Sequence, residues 1–216
     1  MPKIHAALVT ATEAIAPGVI QVTLAFTDKF EFKPGQYVSV HFRDGVSRAY
    51  CIASAPQRPQ AVQIAVRLGR GPGSEALRDL KVGERVEVEA AQGKFTIPDG
   101  DRRDVVFVAG DVGLAPVRSI VLHLRATGDP RTITVIYDPA DANALFAGDF
   151  QKMGDAGSIR FIRGPVEETI PREKATIANA LVMATGFDPF LERATRQLEA
   201  AGVDRARVVT ESFGRI

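Results

Sequence analysis

The sequence predicts a β + α/β chain in two parts: a small antiparallel barrel or sandwich, followed by a parallel sheet covered by helices. Three observations carry this. Up to about Pro98 the apolar residues come in short runs that alternate with polar ones, the period of a half-buried strand. Turn signals separate those runs at close spacing, which favours a closed or sandwiched antiparallel sheet. Beyond Asp99-Gly100-Asp101 the apolar runs become continuous and are followed by helical periods, as in a parallel sheet buried on both faces. The boundary falls within residues 98–103, dividing the chain into residues 1–99 and 100–216.

In the first part, Gln21-Val22-Thr23-Leu24-Ala25-Phe26, the run 36–42, Val62-Gln63-Ile64-Ala65-Val66 and Arg85-Val86-Glu87-Val88-Glu89 read as strands. Pro17-Gly18, Lys33-Pro34-Gly35, Asp44-Gly45 and Val82-Gly83 mark the turns. The one helical candidate here is short, residues 74–80. In the second part a strand at 104–109, a helix at 115–126 and a strand at 132–137 come first. Strands at 158–163, 181–184 and 206–210 follow, with a helix at 189–201 closed by Gly202. The chain has no internal repeat and no low-complexity tract.

Composition bounds the function. With 27 Lys and Arg against 26 Asp and Glu in 216 residues, the net charge is +1, so no global field draws the chain to nucleic acid or an anionic membrane. No apolar run approaches the roughly 20 residues of a membrane span. Met1-Pro2-Lys3-Ile4-His5 lacks an apolar signal core, and the sequence reads as cytoplasmic. Its single cysteine excludes an internal disulfide and also a cluster held by about four thiolates, which would have to sit on a partner. His5, His41 and His123 are scattered without ligand spacing, and no metal site is expected.

Three motifs carry chemistry. Arg48-Ala49-Tyr50-Cys51-Ile52-Ala53-Ser54 puts a fixed cation, an aromatic ring and small side chains within one short stretch, which suits a flat, anionic ligand. Extended alternation would send Arg48 and Tyr50 to one face and Ala49 and Cys51 to the other. In isolation the stretch reads equally as an edge strand. Gly69-Arg70-Gly71-Pro72-Gly73-Ser74 gathers backbone N–H groups, a hydroxyl and a helix start, the makings of an anion site or of a hairpin loop with Ser74 as a plain N-cap. The stretch 105–116 is a strand, the turn Gly110-Asp111-Val112-Gly113 and a helix start, where open α/β sheets bind nucleotides. Pro116 stands at the third glycine position of the usual dinucleotide fingerprint. At the end of the next strand, Asp138 can accept hydrogen bonds from a ribose diol and would repel a 2'-phosphate, or with Pro139 simply start a turn.

Order and spacing of these motifs over nearly the whole chain resemble the ferredoxin-NADP reductase superfamily of flavin-dependent oxidoreductases, and in size the small bacterial NAD(P)H-flavin reductases. The resemblance implies an antiparallel β-barrel that binds flavin, followed by an α/β domain that binds NAD(P)H. Arg48 to Cys51 is similar to the family's Arg-x-Tyr-Ser, implying Arg48 on the flavin phosphate, Tyr50 against the isoalloxazine and Cys51 beside the ring atom that accepts hydride. Ala49, Ile52, Ser54 and Val66 are implied to border the flavin. Gly71, Gly73 and Ser74 resemble a pyrophosphate motif, implying FAD rather than FMN. Gly110, Asp111, Gly113 and Pro116, with Thr185 and Gly186, are implied to hold the nicotinamide nucleotide, and Asp138 favours NADH over NADPH. Glu211-Ser212-Phe213 resembles the family's acidic-x-aromatic ending, implying catalytic roles for Glu211 and Phe213 beside Cys51.

The departures are specific. Cys51 replaces a hydroxyl by a weaker donor. Asp111 replaces a glycine, and its carboxylate repels two phosphates unless it points away. Residues 184–189 lack the family's cysteine. The implied function is transfer of hydride and electrons from NAD(P)H through FAD to a partner electron-transfer protein, such as a ferredoxin or an oxygenase component. The alternatives are an NAD(P)H:free-flavin reductase and a flavin-binding module without turnover.

Overall fold

Alternating side chains and glycine turns build the first half of the computed structural model, which describes residues 3–42, 45–140 and 145–215. Its strands are β1 (Ile4–Ala16), β2 (Val19–Phe26), β3 (Tyr37–His41), β4 (Ser47–Cys51), β5 (Ala61–Arg67) and β6 (Arg85–Glu89), with helix α1 (Pro72–Asp79) after β5. The sheet order is β4-β3-β6-β1-β2-β5. Its two edges meet: Ile52 bridges Ile64, and Ala53 N–H donates to the Gln63 carbonyl at 2.7 Å. That contact closes the sheet into a barrel at one point. The interior is filled by the alternate residues Val22, Leu24, Val38, Val40, Ile64 and Val88, into which α1 inserts Leu77. Gly18, Gly35 and Gly83 all adopt left-handed φ in the turns the sequence marks. Asp44, of the fourth expected turn, lies outside the described residues.

The long first strand has no counterpart in the expected set. Its run His5 to Ala16 is mostly Ala and Thr, with little polar contrast, and register shifts between Val9 and Ala11 and between Ala14 and Ala16 reset the two-residue phase.

The second half alternates β7 (Val105–Gly110), α2 (Leu114–Ala126), β8 (Ile133–Asp138), α3 (Ala147–Asp155), β9 (Arg160–Arg163), α4 (Val166–Arg172), α5 (Lys174–Ala178), β10 (Leu181–Gly186), α6 (Asp188–Ala200) and β11 (Val208–Ser212). All strand pairs are parallel, in the order β11-β10-β7-β8-β9. Alternate residues of β7 serve opposite faces: Val105, Phe107 and Ala109 pack with α2 and α3, while Val106 and Val108 pack with α4, α5 and α6. Helices α3, α4 and α5 were not expected from the sequence. The last two are only 7 and 5 residues long, and Pro171 lies inside α4, so neither develops a helical period.

The halves are pinned together. From α2, Arg118 Nη1 donates to the Ala53 carbonyl at 2.8 Å and Ser119 Oγ to the Ser54 carbonyl at 2.7 Å. Arg118 also pairs with Asp149 and lies 4.7 Å over the Phe146 ring. The chain turns outward from β7 through β8 to β9, then returns to β10 on the other side of β7. The carboxyl ends of β7 and β10 are therefore the switch point of the sheet, where such folds bind ligands.

Candidate functional site

A cavity of about 420 Å³ lies where the barrel wall meets that switch point. Its size is that of a small-molecule site. On the barrel side it is walled by Tyr37, Ala49, Tyr50, Cys51, Val66 and Arg67, and on the other by Val112, Phe187, Glu211 and Phe213. A second opening, of about 180 Å³, shares Ala49, Tyr50, Val66 and Arg67 with the first and runs on to Arg48, Arg70 and Gly71 to Ser74. The two form one groove from the end of β11 to the start of α1.

The register of β4 explains its use. Tyr37 on β3 stands opposite Cys51, and Val38 opposite Tyr50. Arg48 is exposed, Tyr50 half-buried and Cys51 buried, so polarity falls along the strand toward the domain junction. At the α1 end, Gly73 has a structural reason: a Cβ there would lie 2.8 Å from Arg48 Cγ, so only glycine lets the arginine lie across the helix start. Gly71 is the N-cap, at φ 107, and no side chain caps the helix. Ser74 is not a cap; its Oγ accepts from Gly69 N at 2.9 Å.

Burial raises the titrating groups at the inner end of the groove. Burial, opposed by Arg48, pushes the Tyr50 phenol up to about 12. Burial first and Glu211 second push the Cys51 thiol far above its ordinary range, so it is not a thiolate. Burial also raises the Glu211 carboxyl. Phe213 is held by a hydrogen bond from its N–H to the Gly186 carbonyl at 3.1 Å and packs edge-on to Phe187, with ring centroids 5.7 Å apart.

Behind Val112 and Phe187 lies the glycine turn. A Cβ on Gly113 would sit 2.4 Å from the Thr185 carbonyl oxygen, so the turn packs directly on the end of β10. The hydroxyl of Thr185 is buried without a hydrogen-bond partner. Asp111 does point away, as its charge requires: its carboxylate takes Arg67 Nη2 at 2.5 Å and also Arg67 Nε. Pro116 is buried in the first turn of α2.

The expected residues thus separate into groups. Ala49, Tyr50, Cys51, Val66, Glu211 and Phe213 share the main cavity, and Arg48, Gly71, Gly73 and Ser74 its extension. Gly110, Asp111, Gly113, Pro116, Thr185 and Gly186 form the adjoining turns. Ile52 and Ser54 line neither opening: Ile52 is fully buried in the barrel core, and Ser54 Oγ accepts from Gln63 N at 3.0 Å. Asp138 is not an open acceptor either. It pairs with Arg193 of α6 and accepts from Val166 N at 3.4 Å, and burial foremost raises its carboxyl despite Arg193.

Sequence reasoning missed Arg67, Arg193 and Phe187. The partners of the two arginines lie 44 and 55 residues away, and no local pattern announces such a pairing. Among the described residues no three His, Cys, Asp or Glu side chains gather as a metal-ligand set, and no helix is long and apolar enough to cross a membrane.

Residues 7–97 match the family model of the oxidoreductase FAD-binding domain. The reductase component of propane 2-monooxygenase from Mycolicibacterium goodii is 28% identical over 208 residues, covering 86% of this chain and 60% of that protein. The phenol 2-monooxygenase reductase component DmpP of Pseudomonas sp. (strain CF600) is 32% identical over 143 residues, 64% of this chain and 40% of that protein. The chain spans about 60% of the length of the first curated relatives it matches. Among solved structures, phthalate dioxygenase reductase superposes with a TM-score of 0.82 at 20% identity over 98% of this chain and 68% of its own. The ferredoxin-NADP+ reductase from Plasmodium falciparum gives 0.84 at 15% identity over 97% and 96%. These structures share the two-part fold.

Proposed function

We propose that this chain is an NAD(P)H-dependent oxidoreductase of the ferredoxin-NADP reductase superfamily that passes electrons through FAD to a partner protein, a reading its FAD-binding-domain match and its fold support. The partner is a ferredoxin-type protein or an oxygenase component, as the names of the reductase-component relatives suggest. The observation that carries the proposal is the position of the groove: it joins the Arg48 to Cys51 wall of the barrel to the switch point of a parallel sheet.

The division of labour follows residues 1–99 and 100–216. Arg48 and the start of α1 would hold the FAD phosphates, one by charge and the other by backbone N–H groups. Tyr50 would cover a flat ring bound there, and Cys51, kept as a neutral thiol by burial, would offer it a weak donor. When bound there, FAD would supply the chemistry that links two-electron hydride acceptance to electron delivery. Gly110 to Pro116 and Thr185-Gly186 receive the dinucleotide, and the unpartnered Thr185 hydroxyl is a polar group the protein itself leaves unsatisfied there. Phe213 and Phe187 keep water from the junction. Asp138 and Glu167 place two carboxylates around the single Arg193 guanidinium, which supports NADH over NADPH.

Anaerobic mixing of the FAD-loaded protein with NADH tests the reading: loss of the visible flavin absorbance is expected, and its persistence would overturn the enzyme. A colourless protein that oxidises NADH only with added flavin would transfer the activity to free flavin. A preference for NADPH of about tenfold or more in kcat/KM, equal to about 1.4 kcal/mol, would remove the role of Asp138.

A further inference from the structure

Asp111 stands in the nucleotide turn with φ 49, in the left-handed region that glycine adopts freely and Asp tolerates at a cost. Its carboxylate is only 12% exposed and is gripped on both oxygens by Arg67, which reaches across from β5 on the barrel side. Arg67 Nη1 also donates to the Pro17 carbonyl at 3.3 Å. Arg67 and Val112, the residue after Asp111, both wall the main cavity. The turn cannot retreat, because Gly113 is packed on the Thr185 carbonyl. A negative group and a forked cation are thus held where the turn meets the groove.

We propose that Arg67 is an anion-binding residue of the nucleotide site held in reserve by Asp111. The Asp111 carboxylate takes the place of a nucleotide phosphate in the free protein, and the diphosphate of an incoming dinucleotide displaces it from Arg67. Forked guanidinium pairing suits carboxylate and phosphate alike, which makes the exchange one like for another. The exchange sets the affinity for the dinucleotide, and it rests on the NAD(P)H reading above.

The test uses FAD-loaded protein titrated calorimetrically with ADP-ribose, which carries the diphosphate without the reactive ring. Asp111→Gly should bind ADP-ribose about tenfold tighter than the native chain, a gain of about 1.4 kcal/mol. Asp111→Asn, whose side chain also tolerates the left-handed turn, should give a smaller gain. Adding Arg67→Met to Asp111→Gly should abolish the gain. If the pair only braces the two halves, Asp111→Gly will leave affinity unchanged or lower it, and Arg67→Met in that background will change nothing. Either result overturns the inference while leaving the nucleotide site standing. If no form binds ADP-ribose although FAD is retained, the NAD(P)H reading falls and takes this inference with it.

Discussion

The barrel wall and the glycine turn face one cavity, yet they present their charges differently. On the wall, Arg48 is exposed and Tyr50 half-buried along the groove, with Gly73 cleared to let the arginine lie across it. In the second half two acids are already engaged, Asp111 by Arg67 and Asp138 by Arg193. Residue type therefore says what chemistry a position can do, while a partner distant in sequence decides whether the position is open to a ligand. Local pattern suffices for the first and not for the second.

Loss of the guanidinium on the open side should have the largest effect. Arg48→Ala should weaken FAD binding by about 1.5 to 3 kcal/mol, the worth of hydrogen bonds to a charged group. Quenching of flavin fluorescence on titration measures it. Unchanged affinity would mean that the barrel wall is no more prepared for a ligand than the turn, and the contrast would fail.

On the engaged side, Arg193→Met should free the Asp138 carboxylate for a ribose diol and leave it with Glu167 against a 2'-phosphate. Arg193 is 43% exposed, and exposed pairs are weak, so the ratio of kcat/KM for NADH over NADPH should rise only about threefold. A fall in that ratio would show that Arg193 itself serves the nucleotide.

Glu211 allows a pH test at the point where the two regions meet. Burial raises its folded pKa above the ordinary 4.5. An acid so shifted contributes stability that is fully present below the unfolded value and is lost as pH rises through the folded one. Glu211→Gln should therefore melt higher than the native chain at about pH 8 and show no such gain at about pH 4, where both side chains are neutral. An equal shift at both pH values would mean that packing, not ionisation, is responsible.

Much of the fold was legible because it rests on local rules. The strand Arg85–Glu89 has the bounds its alternation predicts, and the change of pattern after Asp99 separates the two sheets. What escaped was either low in contrast, like the Ala- and Thr-rich β1, or too short for a period, like α4 and α5. In the site, Tyr50 and Cys51 of β4 converge on one cavity with Glu211 of β11 and the following Phe213, segments far apart in the chain. The ion pairs that occupy Asp111 and Asp138 were not legible, since each is made by tertiary approach alone.

The smallest effect is expected at Cys51, and its smallness is informative. The thiol is buried and held neutral by that burial and by Glu211, so it has no thiolate chemistry to lose. Serine is close to it in size and a better donor, and the hydrogen bond gained between neutral groups is worth about 0.5 kcal/mol at the low end. Cys51→Ser should thus keep the rate of flavin reduction or raise it by about threefold at most, read by stopped-flow absorbance with NADH. A large loss would mean that sulfur itself acts at the inner end of the groove. The neutral thiol inferred from burial would then have to be replaced by one that shares a proton with Glu211.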